Sequence, residues 1–271
     1  MADRVIAWLD SLSLPLLGLV LLSGVFLAAG AGLALRNRRR IAGPADSLEG
    51  SIVSAILGLL ALLMAFTFSL AIDRFETRRH LVISHSNTIG TAFLRVQLLP
   101  EPDRTRLSGL LLDYTRNLLL LARARREEVP RLLARDDRLL GDIWSATGAA
   151  YDATKRLPFS IGLLDSVNAM IDADAARRGE RLARIPGRVL VSLVLYLVIT
   201  GAVLGYLLTG RSTRIAASIL MGLLVVSLLL IIDIDQPTRD SIVESQSSIE
   251  AVLETIENQP PGSYDRWRRA D

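Results

Sequence analysis

The side chains able to do chemistry in this chain gather in two places. The first is Asp73-Arg74-Phe75-Glu76-Thr77-Arg78-Arg79-His80, with His85 a turn beyond. Asp73, Glu76 and His80 fall within two helical turns and offer up to three metal ligands. A zinc-type centre needs a further ligand from elsewhere. Ion pairing among Glu76, Arg79 and His80 accounts for the same residues, and His85 lies about 140° around a helix from His80. No metal site is expected here. The second place is Asp233 and Asp235, at the end of a long apolar run. Carboxylates are costly in hydrocarbon, so these two are expected to face water, a cation or, by preference, Arg188 or Arg239. There is no cysteine, which excludes disulfides, thiolate metal sites and cysteine nucleophiles. No P-loop, nucleophile elbow, zinc motif or dinucleotide fingerprint occurs. The chain therefore points away from an enzyme, with no catalytic residue and no cofactor.

The elements that must position these groups follow from hydropathy. Of 271 residues 51% are hydrophobic, yet 31 are Lys or Arg and 28 Asp or Glu, while mean hydropathy is +0.38. Both facts hold only if the two classes are segregated. Leu12 to Leu35, Gly50 to Ile72, Val189 to Thr209 and Ile215 to Ile232 carry no ionised side chain. A helix needs about 20 residues to cross the hydrocarbon core, and runs that are apolar all round are membrane spans rather than faces of a soluble core. The first run follows Arg4 and ends in Arg36-Asn37-Arg38-Arg39-Arg40. It exceeds the h-region of roughly 7 to 15 residues of a signal peptide, and so is expected to stay in the protein. The net charge of +3 is too small to argue for a nucleic-acid partner.

The expected fold is all-α: an integral membrane protein with four transmembrane helices in two pairs and an inserted helical-bundle domain. Residues 1–72 hold the first pair, 73–187 the arginine-rich domain, 188–233 a second hairpin, and 234–271 an amphipathic helix and a flexible tail beginning at Gln259-Pro260-Pro261-Gly262. No Pro or Gly falls between Ala61 and Ile89, so the second span continues out of the bilayer for several turns. Leu99-Pro100-Glu101-Pro102 stops that helix, and Asp103 is placed to cap the next, which runs to about Glu128 with Leu107, Leu110, Leu111, Tyr114 and Leu118 at helical spacing. Pro130 and Leu157-Pro158 mark further breaks. From Ile161 to Arg184 the expected buried face is Leu164, Val167, Asn168, Ile171 and Ala175. The turn Gly210-Arg211-Ser212-Thr213-Arg214 makes spans three and four an antiparallel hairpin.

Within the spans, small residues four apart let helices approach closely. Gly24, Ala28 and Gly32 form such a series in span one, and Gly201 and Gly205 in span three. Span two carries Ala61, Ala65, Ser69 and Asp73 as one small and polar stripe, flanked by Gly58, Leu62 and Phe66. Such a stripe either packs on a neighbouring helix, the commoner outcome, or lines a pore. Arginines do not decide orientation: Arg36, Arg38, Arg39, Arg40, Arg211 and Arg214 flank the short loops, whereas Arg74, Arg78, Arg79, Arg181, Arg184 and Arg188 flank the domain side.

The stretch Leu59 to Ser69, followed by Asp73-Arg74-Phe75-Glu76, Arg78-Arg79 and Asn87 to Arg95, resembles the bacterial bestrophin-like domain family. Leu163 to Asn168, Arg184-Ile185-Pro186 and Ile234-Asp235-Gln236-Pro237 extend the resemblance over most of residues 50 to 240. More distantly the chain is similar to bestrophins, pentameric anion channels whose second helix lines a hydrophobic neck. Their neck aromatic precedes an Arg-aromatic-aromatic motif by eight positions, as Phe66 precedes Arg74-Phe75, although Glu76 replaces the second aromatic. The resemblance implies a homo-oligomer, a pentamer as in bestrophins, in the lipid bilayer of the cell membrane, the inner one in a Gram-negative source. It implies anions such as chloride as the permeant species and a cytoplasmic helical domain. On it Gly58, Leu62, Phe66, Ser69 and Asp73 line the pore, and Arg74, Glu76, Arg78, Asp233 and Asp235 supply vestibule or membrane-edge charge. The alternative is a non-conducting scaffold or sensor that binds a partner through its helical domain.

Overall fold

A computed structural model describes residues 13–38, 47–125, 127–155, 157–208, 210–236 and 244–265. Arg4, Arg39, Arg40, Thr209, Pro237 and Arg239, on which several expectations rest, lie outside them. The helices are α1 (Leu14–Arg38), α2 (Ser47–Val96), α3 (Asp103–Arg123), α4 (Val129–Thr154), α5 (Phe159–Leu182), α6 (Gly187–Leu207), α7 (Arg211–Asp235) and α8 (Ser247–Asn258). Among the described residues there is no strand. Helices α1, α2, α6 and α7 carry the windows apolar enough to cross a membrane, with mean hydropathy from 2.3 to 2.9. The all-α membrane fold is therefore as expected. The chain forms two compact units, one from Met1–Phe75 with Ala183–Val243 and one from Glu76–Leu182 with Glu244–Asp271.

In the first unit, Leu17, Leu21 and Val25 of α1 share a core with Leu60, Met64 and Ala71 of α2, Leu193 and Leu197 of α6, and Met221, Val225 and Leu228 of α7. The closest packing joins α1 to α6, spans one and three, which run parallel: Val25 faces Gly201 and Ala29 faces Gly205. A Cβ added to Gly201 would come within 2.9 Å of the Val25 carbonyl oxygen, and one on Gly205 would fall on that of Ala29. Glycine is thus required for backbone to meet backbone, the use of small residues expected where lipid supplies no hydrophobic drive between helices. Gly32 belongs to the same seam, opposite Ala202. Gly24 does not, since a Cβ there meets nothing within 4 Å. Helices α6 and α7 form the expected hairpin, its turn using Gly210 at φ 95°, a conformation that side chains with a Cβ resist.

The second unit is built on α3, α4, α5, α8 and residues 76–96 of α2. Ile89, Phe93, Leu107, Leu111, Tyr114, Leu118, Ile143, Leu163, Val167 and Met170 form its buried core, with Ile249 and Ile256 of α8. Three local expectations are corrected. Helix α3 ends at Arg123, and its start is tied by Glu101 rather than capped by Asp103: the Glu101 carboxylate accepts from the Thr105 N–H (3.2 Å) and Arg104 Nε (2.9 Å). On α5 the buried face holds Ser160, Leu163, Ser166, Val167, Met170, Asp174 and Arg177, while Asn168 and Ala175 are exposed. The tail is held as far as Asp265, whose carboxylate accepts from Arg104 Nη1 at 2.7 Å.

Candidate functional site in the second membrane helix

Helix α2 runs unbroken for 50 residues, and its membrane half has two sharply different faces. Leu60, Met64, Thr67 and Ala71 are buried, spaced to fall on one side of a helix at about 100° per residue. The Thr67 hydroxyl donates to the Leu63 carbonyl at 2.8 Å, so this face buries no unsatisfied hydroxyl. Gly58, Leu62, Phe66, Ser69 and Asp73 are all exposed and centre about 170° away on the same geometry. Phe66 is 66% and Leu62 52% exposed, and a Cβ on Gly58 would touch nothing. Ala61 and Ala65 are exposed as well. Among the described residues the small and polar stripe thus lies on the exposed face, in line with Phe66.

The expected edge charges separate. Asp235 is 2% and Asp233 5% exposed. The Asp235 carboxylate accepts the Ile185 backbone N–H through both oxygens, at 3.0 and 3.1 Å, just ahead of α6. That N–H precedes Pro186, which carries no donor of its own, so the carboxylate anchors the entry to span three. Arg188 lies exposed. At the other end of the same helices, Arg36 is buried and donates to the Tyr206 and Leu207 carbonyls, each at 2.9 Å, satisfying C-terminal acceptors of α6 that the helix leaves unpaired. Arg74 is half-buried. In the second unit Glu76 pairs with Arg79 at 3.3 Å on the surface, whereas Arg78 is buried against Glu244 at 2.5 Å, not turned to solvent as a vestibule charge would be. His80 is exposed and His85 wholly buried.

A polar network unread in the sequence surrounds His85. Its Nε2 lies 2.9 Å from the Tyr114 hydroxyl. The Asp174 and Asp136 carboxylates lie close enough to act electrostatically on the Tyr114 hydroxyl. Arg178 gathers three carboxylates: Asp174 at 2.5 Å, Asp136 at 2.5 Å and Asp137 at 2.6 Å. Asn117 Nδ2 donates to Asp136 at 2.9 Å. Burial, then the Arg177 and Arg178 charges, press the His85 pKa down to about 3, so the ring is neutral. Burial, then the charges of Asp174 and Asp136, hold the Tyr114 hydroxyl well above its ordinary value. Asp174 is raised by burial and then by Asp136. The signal was phase: Asp136 precedes Leu139 and Ile143 on the buried side of α4, and Asp174 follows Met170 on that of α5.

A model of the bestrophin-like domain matches residues 19–244. No curated protein matches the sequence. Among solved structures, the chain is similar to a bacterial bestrophin homologue from Klebsiella pneumoniae. One point variant of it is 17% identical with a TM-score of 0.65, covering 88% of this chain and 95% of that one. A second variant is 16% identical with a TM-score of 0.67, over 89% and 94%. A third structure of that homologue, phased with zinc, is 17% identical with a TM-score of 0.64, over 88% and 94%. At such identity the likeness is one of fold.

Proposed function

The chain belongs to the bestrophin-like family, and from that premise we propose that this multi-pass membrane protein assembles into a homo-oligomeric ion channel, a pentamer, with α2 of each copy lining the pore. The observation that carries the proposal is the outward face of α2. Gly58, Leu62, Phe66, Ser69 and Asp73 are all exposed, so in a ring of copies this face of α2 can line a common axis. There Leu62 and Phe66 form a hydrophobic constriction of the kind that gates by dewetting. Anions such as chloride are the permeant ions by family resemblance. One observation favours the opposite selectivity: Asp73 ends the stripe as an exposed carboxylate, and rings of carboxylates favour cations.

Planar-bilayer recordings of purified protein test this. The expected results are unitary currents and a Phe66→Ala variant with altered conductance or gating. Under a potassium chloride gradient, reversal near the chloride potential supports anion selectivity, and reversal near the potassium potential supports the Asp73 alternative. Absence of current, or currents indifferent to Phe66→Ala, refutes the pore assignment. Images of monomers or dimers in place of a ring favour the non-conducting scaffold.

A further inference from the structure

Helices α1, α6 and α7 leave a groove between them at the C-terminal end of α6 and the start of α7, of about 230 Å³. Its walls include Phe26 and Gly30 of α1, Leu204 of α6 and Met221 of α7, and its one charged lining residue is Arg214, in the first turn of α7. Ser218, one turn deeper, also lines it. These helices span the membrane, so the groove opens onto acyl chains rather than water. It is smaller than the roughly 300–1,000 Å³ that holds a drug-sized ligand, and matches a single chain. From Arg214 to Met221 it follows α7 for about 10 Å, most of the roughly 15 Å of one leaflet.

From this geometry we infer that the groove is a binding site for an anionic glycerophospholipid, with the phosphate on Arg214 and one acyl chain laid along Leu204 and Met221. Charge complementarity selects this occupant. Arg214 is exposed and enters no ion pair among the described residues. It sits at the N-terminal end of α7, where the helix favours an anion, and guanidinium is suited to holding phosphate by two parallel bonds. Arg36, by contrast, is spent on the α6 carbonyls. Ser218, which also lines the groove, adds a hydroxyl able to donate to a lipid ester oxygen. Gly30 keeps the groove open: a Cβ there would meet nothing within 4 Å, so glycine is not needed for packing. The inference concerns a face of the molecule remote in sequence from the α2 stripe, and it holds whether or not the protein conducts.

The test is native mass spectrometry of the full chain released from nanodiscs containing equal phosphatidylglycerol and phosphatidylcholine. The expected result is preferential retention of phosphatidylglycerol. Arg214→Gln should lower that preference roughly five- to tenfold, and Arg214→Lys should keep part of it. Gly30→Leu, which fills the groove without a backbone clash, should lower retention of both lipids. Excess inorganic phosphate should not displace the lipid. Equal retention in wild type, Arg214→Gln and Gly30→Leu would overturn the inference, as would displacement by inorganic phosphate. So would unchanged lipid binding with an altered oligomer mass in Gly30→Leu, since that assigns the groove to a second copy of the chain. Helix content and melting of each variant, measured in parallel, separate a lost site from a lost fold.

Discussion

Arg78 and Arg79 are neighbours in sequence, and the structure assigns them opposite energetics. Arg78 Nε meets Glu244 Oε1 at 2.5 Å with side-chain exposures of 3% and 2%. Arg79 meets Glu76 at 3.3 Å with exposures of 53% and 44%. Removing one partner of a buried pair strands a charge in low dielectric and typically costs about 3–5 kcal/mol, whereas an exposed pair is worth about 0–1 kcal/mol. Glu244→Gln, which keeps shape and removes charge, should therefore lower the melting midpoint by an amount on the order of 10 °C, taking roughly 2–4 °C per kcal/mol. Glu76→Gln should shift it by less than about 2 °C on the same scale. Circular dichroism of the detergent-solubilised protein reads both. The double variant Arg78→Met with Glu244→Leu should recover most of the loss, because matched apolar groups replace a buried pair at little or no cost. Equal melting of wild type and Glu244→Gln, or equal losses in the two single variants, would refute the burial argument.

The His85 network predicts a pH dependence. The folded pKa of about 3 lies below the ordinary 6.5. The unfolded chain therefore binds a proton that the folded one refuses, and stability falls as pH drops from about 6.5 toward 3. His85→Gln, which still offers Tyr114 a polar partner, should flatten that part of the melting-versus-pH curve; an unchanged slope would exclude His85 as its source. Asp174, raised in the folded state, works in the opposite sense, and comparing the two proteins isolates the histidine. At the α1–α6 seam, Gly205→Val should cost more than the roughly 1–3 kcal/mol of ordinary overpacking, because the added Cβ falls on backbone. Gly24→Val, with open space around it, should stay within about 0.5 kcal/mol. Thermal unfolding in detergent distinguishes the two.

What was legible in the sequence was whatever hydropathy alone determines. Four uncharged runs became α1, α2, α6 and α7, because apolar length commits a helix to the bilayer whatever it packs against. The unbroken course of α2 was legible too, since no Pro or Gly interrupts it. Partners were less so. Gly24 and Gly32 look alike in span one, yet only Gly32 meets α6, since contact depends on where the other helix crosses. On α5 the apolar rule chose Leu164, Ile171 and Ala175, one step around the helix from the observed face. Asp174 and Arg177 resemble surface residues until Arg178, Tyr114 and His85 are seen compensating them. The burial of Arg78 is illegible for the same reason: Glu244, its partner, lies 166 residues away.

The outward face of α2 must be weighed against a solvent that is itself apolar. Exposed Leu62 and Phe66 do not by themselves demand a partner, since acyl chains accept them as readily as another helix does. Gly58, Ser69 and Asp73 are different. Lipid gives a glycine no contact that a larger side chain would not improve, and it penalises a carboxylate by roughly 2.5–3.5 kcal/mol at mid-bilayer, less toward the edge. A face meant only for lipid would have no use for a line of small and polar groups in register with its aromatics. The same line suits a hydrated path, where Ser69 and Asp73 meet water, or a closely packed second copy, where Gly58, Ala61 and Ala65 permit approach. Both alternatives need more than one chain. The small and polar residues of the stripe are thus what favours an oligomer, and Phe66 bears only on whether such an assembly would carry a gate.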